Sequence, residues 1–305
     1  MMYSLSQLSR AISSPKWFVR EANRVTHRRF NTWEYNEKGV DVFAEDWDNL
    51  LILDACRYDM FEEHHSFPGR LESRVSRGSA TKEFLQANFA DRDLRDTVYV
   101  TASPILYRNR DSIRPSLHAW TDVWREDGWD EEYKTVRPET MVEYGLRAAE
   151  RYPNKRLILH FIQPHYPFIG PTGQTHFDLG TLTCPVWKHI SSDEVPVNDG
   201  VIWKAFVENL ELTLPHVEQL LAELAGKSVV TADHGQLVGE RVSPLPVRAY
   251  GHPFGIYVDE LVKVPWLVLQ NGERRTIEAE DADETATAVD EDVVTDRLEQ
   301  LGYVQ

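Results

Sequence analysis

The stretch SVVTADHGQLVGER, residues 228–241, places an acid, a histidine and a glycine directly after a short β-branched run. Residues 228–232 have the composition of a strand, and residues 203–227 before them that of a helix closing on Gly226. Ligands bind beyond the carboxyl ends of strands in α/β sheets. Asp233, His234 and Gly235 therefore predict half of a metal site, although a turn with a hydrogen-bonded histidine fits them equally well.

Apolar runs predict the rest of the fold. Five runs are apolar throughout rather than alternating, as expected for strands that are covered on both faces. These runs are residues 49–55, 97–103, 156–162, 228–233 and 264–270. Helical segments separate several of them, notably residues 138–152. We therefore expect an α/β fold with a mostly parallel central sheet sandwiched between helices.

Composition limits the partners and the compartment. The 305 residues carry a formal net charge of −16, which argues against nucleic acid and anionic membranes as partners. Only nine of the 33 basic residues are lysines. A low share of lysine on an acidic surface resembles proteins from salt-loving organisms, and a bias toward solubility explains it equally well. The two cysteines, Cys56 and Cys184, do not suggest a disulfide framework. No apolar run approaches the roughly 20 residues that span a bilayer, so we expect a cytoplasmic protein without a transmembrane segment. The oligomeric state is left open.

The first apolar run also ends in an acid. LILDACRYD, residues 51–59, places Asp54 at the carboxyl end of its strand, with Arg57 just beyond. Because carboxyl ends of parallel strands share one edge, Asp54, Asp233 and His234 supply three oxygen and nitrogen ligands for a divalent cation. Such a cation suits a phosphate or sulfate ester, since it screens the anion and lowers the pKa of a coordinated hydroxyl. A turn or helix-cap residue is the alternative for Asp54.

Two hydroxyls precede a predicted helix in SRGSATKEFLQANF, residues 76–89. Ser79 and Thr81 are candidate nucleophiles, because the amides at a helix N-terminus stabilise an alkoxide and a bound phosphate. A helix cap, with Glu83 near the capping-box position, fits this stretch equally well.

Histidines occupy two further loops. In HFIQPHYPF, residues 160–168, prolines flank His165, which suits an anion ligand or general acid. His160 lies inside the predicted strand, so we expect it to be a core residue. His252 lies between a glycine and a proline ahead of another strand. Alone it is weak evidence for a functional site, and it supports one only together with the other candidate residues.

Taken in order, these segments resemble the alkaline phosphatase superfamily, and within it the sulfatase-like branch. TADHGQLVGE, residues 231–240, resembles the T-x-DHG-x-x-x-G-E signature of that branch. Residues 51–59 are similar to its first strand and metal-binding acid, and QPHYPF, residues 163–168, to its substrate-pocket histidine loop. Residues 250–268 and the ending LEQLGYV, residues 298–304, also resemble segments of sulfatases. The resemblance covers about residues 48–270, with that ending in addition.

The resemblance implies an alkaline phosphatase-like fold and a metal-dependent hydrolase or transferase acting on phosphate esters, with sulfate esters less favoured. The implied ligands of one divalent ion (Mn, Ca, Mg or Zn) are Asp54, Thr81, Asp233 and His234. The implied contacts of an anionic ester substrate are Arg57, His165 and His252, of which the two histidines also suit leaving-group protonation.

Two departures from true sulfatases change the expected nucleophile. Ala55 stands where sulfatases carry a second acid, and ATKEF, residues 80–84, stands where they carry Cys-x-Pro-Ser-Arg. Neither cysteine fits that motif, and we interpret Cys56 as a small core residue. A hydroxyl nucleophile is therefore expected, with Thr81 the first choice and Ser79 the reserve.

Two alternative functions are a phosphomutase and a non-catalytic protein that binds an anion or glycan.

We expect three parts of the chain: an N-terminal helical extension over residues 1–45, a sulfatase-like catalytic domain over 46–270, and an acidic linker with a short closing helix over 271–305. Residues 172–200 predict a long loop over the site, and residues 3–30 could instead form a basic amphipathic helix that contacts a membrane or partner.

Overall fold

The computed structural model describes residues 15–125, 127–177, 187, 190, 197–283 and 291–303. The strands are β1 Asn49–Leu53, β2 Arg70–Val75, β3 Asp93–Thr101, β4 Ser116–Asp122, β5 Trp129–Asp130, β6 Thr135–Val136, β7 Arg156–Phe161, β8 Gly226–Thr231, β9 Leu237–Val242, β10 Val247–Gly251 and β11 Lys263–Asn271. The α-helices are α1 Pro15–His27, α2 Tyr58–His64, α3 Thr81–Phe89, α4 Ile105–Arg108, α5 Arg110–Ile113, α6 Pro138–Arg151, α7 Pro171–His176, α8 Asp199–Glu223, α9 Asp259–Val262 and α10 Glu291–Gln300.

Seven strands form the central sheet, in the order β2-β11-β8-β1-β7-β3-β4. The neighbours β8, β1, β7, β3 and β4 run parallel, whereas β11 runs antiparallel to both β2 and β8. The predicted mostly parallel α/β sheet is therefore confirmed, and the last of the five predicted strands is the antiparallel one.

Helices cover both faces of this sheet. Side chains alternate between the two faces of a strand, so Leu159 and His160 of β7 point in opposite directions. On the Leu159 face α6 packs closely, because a β-carbon on Gly145 would lie 2.7 Å from the Leu159 side chain. On the other face α3 packs through Phe89, whose ring lies 5.4 Å from that of Tyr99 in β3.

The predicted strands were the apolar ones, and the strands that we did not predict are polar or short. β2 reads RLESRV and lies at an edge of the sheet, where its side chains are half-buried or exposed. β4 lies at the opposite edge and carries a histidine, a threonine and an aspartate. An edge strand keeps one side solvated, so it needs no continuous apolar run.

The two ends of the described chain pack on this core. Asn23 of α1 exchanges hydrogen bonds with the backbone of Leu245, in the β9–β10 hairpin. Beyond β11, the backbone N–H groups of Glu278, Glu280 and Asp283 donate to carbonyls of the sheet region. No helix within the described residues is both long enough and apolar enough to cross a membrane. Cys56 is a free, buried thiol, while Cys184 and most of the predicted 172–200 loop lie outside the described residues.

Candidate metal and catalytic site

The two acids of the site follow two neighbouring strands. Leu51 of β1 is paired with Val230 of β8, which brings the ends of these strands level. Asp54 and Asp233 therefore leave the sheet at the same edge, as the sequence predicts. The N–H of Ala55 donates to Asp233 Oδ1 over 3.1 Å and ties the two strand ends together. Ala55 adopts a left-handed φ of 61°, which is unusual for a residue with a β-carbon and typical of functional sites.

The side chains of Asp54, Asp233 and His234 converge. His234 Nε2 lies 3.4 Å from Asp54 Oδ1 and 3.4 Å from Asp233 Oδ2. Ligands of one cation at 2.0–2.6 Å can lie no more than about 5 Å apart, so these three groups can share an ion. His234 Nδ1 lies 2.8 Å from the Gly235 carbonyl and donates to it, which leaves Nε2 free as a ligand. All three side chains are buried.

Thr81 reaches the same point from α3. It is the first residue of that helix, and its hydroxyl oxygen lies 3.2 Å from His234 Nε2 and 3.4 Å from Asp54 Oδ2. The helix begins without a side-chain cap, because Ala80 precedes it. Its first amides are therefore open to an anion at the position that Thr81 occupies.

The hydroxyl of Ser79 is used elsewhere. It accepts the N–H of Gly255 over 2.9 Å and lies 3.0 Å from a carboxylate oxygen of Glu83. Glu83 is buried and also receives the Tyr257 hydroxyl over 2.6 Å. This network fastens α3 to the loop that carries His252. Of the two candidate nucleophiles, the structure brings Thr81 to Asp54 and His234 and gives Ser79 a structural contact.

His165 and His252 lie on the same side of the site. Their rings are 4.9 Å apart, and the His252 ring is 4.7 Å from that of His234. His165 Nδ1 lies 2.6 Å from the Tyr166 carbonyl and donates to it, while His165 Nε2 has no hydrogen-bond partner among the described residues. His252 Nδ1 lies 3.2 Å from Oε1 of the buried Gln236. Each imidazole is thus held through its Nδ1 atom.

Arg57 does not join this group. Its guanidinium pairs with Asp59 over 2.6 Å and with Glu240, and it lies over the ring of Trp203. These acids raise the pKa of Arg57 against the lowering effect of burial, and neutralise its charge locally. The predicted contact between Arg57 and an anionic substrate has no support from this geometry.

His160 belongs to the site, contrary to its interpretation as a core residue. It is buried in β7, but its Nε2 atom lies 3.7 Å from Asp233 Oδ2, and Tyr99 holds its Nδ1 over 2.7 Å. The ligand atoms of Asp54, His160 and Asp233 all lie within 4.8 Å of one another. The sequence signal for this role is the position of His160 in the carboxyl-terminal half of its strand, since an inward-facing imidazole there can reach the site.

The two buried acids have opposite pKa directions. Burial and the nearby Asp233 charge raise the pKa of Asp54 well above its usual range. Burial alone would also raise the pKa of Asp233, but His234 and His160 lower it below the ordinary value. Asp54 Oδ1, Asp233 Oδ2 and His160 Nε2 lack hydrogen-bond partners within the described structure. Unpaired oxygens on two buried acids, whose ligand atoms lie within 4.8 Å of one another, indicate a place for a divalent cation.

The pH dependence of stability provides a test of the His165 environment. Burial lowers the pKa of His165 to about 4. Between pH 6.5 and 4 the unfolded chain therefore binds a proton at His165 that the folded protein excludes, and this one histidine should lower the stability of the metal-free protein by about 3 kcal/mol over this window. Urea unfolding of the parent and of His165→Gln at several pH values measures the difference. His176→Gln, at an exposed position, is the control and should keep the parental slope. Parallel curves for the parent and His165→Gln would contradict the buried, neutral His165.

Comparison with known proteins gives structural neighbours only, since no family model and no curated protein matches the chain. One neighbour is the integral membrane lipooligosaccharide phosphoethanolamine transferase A from Neisseria meningitidis, with TM-score 0.48, 13% identity, and coverage of 72% of this chain and 47% of that one. Another is the C-terminal periplasmic domain of phosphoethanolamine transferase EptC from Campylobacter jejuni, with TM-score 0.47, 14% identity, and coverage of 72% and 78%.

A third neighbour is an alkaline phosphatase superfamily protein from Vibrio parahaemolyticus, with TM-score 0.39, 10% identity, and coverage of 93% of this chain and 75% of that one. The chain spans about half the length of the first neighbour, 47%.

Proposed function

We propose that this protein is a metal-dependent hydrolase or transferase of phosphate esters, with Thr81 as the nucleophile. The observation that carries the proposal is the position of the Thr81 hydroxyl, within 3.4 Å of both Asp54 Oδ2 and His234 Nε2. A hydroxyl at a helix N-terminus, beside two buried acids, suits attack on an anionic ester.

The residues fit a divalent cation. Asp54, Asp233 and His234 offer two carboxylates and one imidazole, and the Thr81 hydroxyl is a fourth donor. Oxygen and nitrogen donors without a thiolate favour Mn, Ca or Mg and also admit Zn. A bound divalent cation would lower the pKa of the hydroxyl and offset negative charge on the ester. His160 is an additional nitrogen donor on the Asp233 side.

The protein's own groups account for the proton transfers. A bond forms between Thr81 Oγ1 and phosphorus while the bond from phosphorus to the ester oxygen breaks. The Thr81 proton passes to Asp54 Oδ2, 3.4 Å away. His165 Nε2, which has no hydrogen-bond partner among the described residues, takes up a proton from solvent when an anion binds and gives it to the departing oxygen. Water or an acceptor alcohol then displaces Thr81 from phosphorus and gives up a proton to the now neutral His165, while Asp54 returns its proton to Thr81 Oγ1.

A substrate screen tests this proposal. Metal-free protein is reconstituted separately with Mn, Zn, Mg and Ca, and assayed with 4-nitrophenyl phosphate, bis(4-nitrophenyl) phosphate and 4-nitrophenyl sulfate. We expect metal-dependent release of nitrophenol from a phosphate ester, and less from the sulfate. Metal binding without turnover of any ester, including in the presence of an acceptor alcohol, would favour a protein that binds an anion or glycan without catalysis. Turnover that survives chelation would refute the metal-dependent mechanism.

A further inference from the structure

Tyr303, the last residue that the structure describes, enters the site from the far end of the chain. Its ring stacks on that of His165, with centroids 5.0 Å apart and planes 14° from parallel. Its hydroxyl donates a hydrogen bond to Asp54 Oδ2. One side chain thus contacts both a candidate metal ligand and a candidate substrate contact.

The preceding helix places Tyr303 independently of the phenol. Val294 and Leu298 of α10, with Leu301 just after it, are buried against the core. Arg297 pairs with Glu131 over 2.8 Å and lies over the ring of Trp129 at 4.2 Å. Since this helix is docked by its own contacts, the tyrosine is presented to the site and does not have to hold the chain end there.

The contacts of Asp54 show what the phenol does. Oδ2 receives the Tyr303 hydroxyl and also lies 3.4 Å from Thr81 Oγ1. Oδ1 has no hydrogen-bond partner among the described residues and lies 3.4 Å from His234 Nε2. The hydrogen bond from Tyr303 therefore fixes the carboxylate so that Oδ1 faces the centre of the site.

We propose that Tyr303 is a positioning residue, which orients Asp54 for metal binding and holds the His165 ring by stacking. This inference rests on the metal site of the proposed function. Hydrogen bonds to ligating carboxylates set their orientation, and removing such an outer partner typically costs 10–100-fold in metal affinity. Tyr303 acts through Asp54 and His165 and takes no part in bond making.

Metal affinity of Tyr303→Phe tests the inference without any substrate. The variant keeps the aromatic ring and loses only the hydroxyl. We expect its affinity for Mn²⁺ and Zn²⁺, measured by competition with a chelator, to fall about 10–100-fold. The absorption spectrum of the Co²⁺-loaded variant should also change, because the coordination geometry changes. The metal-free variant should remain folded, with an unfolding free energy that lies at most about 1–3 kcal/mol below that of the parent.

The matched control is Tyr152→Phe, which removes a phenol that donates to Asp283 over 2.8 Å outside the site. It should bind metal like the parent. Parental affinity and spectrum in Tyr303→Phe would overturn the positioning role alone. Tighter binding would also overturn it, because the phenol would then be a competitor for the metal position. A parent that binds none of these metals would overturn the proposed metal site together with this inference.

Discussion

Replacing Thr81 with alanine should lower kcat for the phosphate ester by at least about 10⁴-fold, since removing the nucleophile of a covalent mechanism leaves only binding and electrostatic stabilisation. Alanine keeps the helix start and removes the hydroxyl that lies 3.2 Å from His234 Nε2. Because the loss concerns the covalent step, metal affinity should fall far less than kcat. Steady-state turnover and a metal titration on the same preparation measure both quantities.

Two control variants separate the nucleophile from its surroundings. Thr81→Ser keeps a hydroxyl at the same position and should retain most of the turnover. Ser79→Ala leaves the buried N–H of Gly255 without its acceptor and should cost about 1–3 kcal/mol of unfolding free energy, with a much smaller effect on kcat than Thr81→Ala. Full activity in Thr81→Ala, or a larger loss in Ser79→Ala, would exclude Thr81 as the nucleophile.

The shared position of Asp54 and Asp233 could be predicted because it depends on the strands alone. The apolar runs of β1 and β8 identify two buried strands, and Asp54 and Asp233 follow the ends of these runs. Parallel strands bring such residues to one edge whatever the rest of the sheet does. The sequence also places His234 there, since it adjoins Asp233.

Contacts between distant parts of the chain could not be predicted in the same way. Arg57 stands near Asp54 in sequence, but its guanidinium pairs both with Asp59, 2 residues on, and with Glu240, 183 residues away. Tyr303 reaches Asp54 across a separation of 249 residues because α10 docks on the core, which local pattern does not reveal. The place of His160 could not be predicted, because a buried histidine in a strand has the same local sequence whether it faces a core or a ligand site.

Replacing Asp54 with asparagine should remove metal binding and at the same time stabilise the metal-free protein at neutral pH. Loss of a charged ligand should cost more than the 10–100-fold expected for an outer hydrogen bond. Burial and the charge of Asp233 raise the pKa of Asp54 in the folded protein. A carboxyl with a raised folded pKa contributes most to stability below its unfolded value near 4, and this contribution is lost as the pH rises toward the folded value.

Asparagine does not titrate, so Asp54→Asn should gain stability relative to the parent by about 1.4 kcal/mol per pH unit above pH 4, until the folded pKa is reached. Asp122→Asn is the matched control. Burial raises the pKa of Asp122 to about 6, and its carboxylate accepts the Trp124 N–H over 3.0 Å. The control should show the same direction in stability with parental metal affinity, because Asp122 offers no contact to the candidate ligands among the described residues. Parental metal affinity in Asp54→Asn would contradict the assigned ligand set, and a loss of stability at neutral pH would contradict the repulsion between the two buried acids.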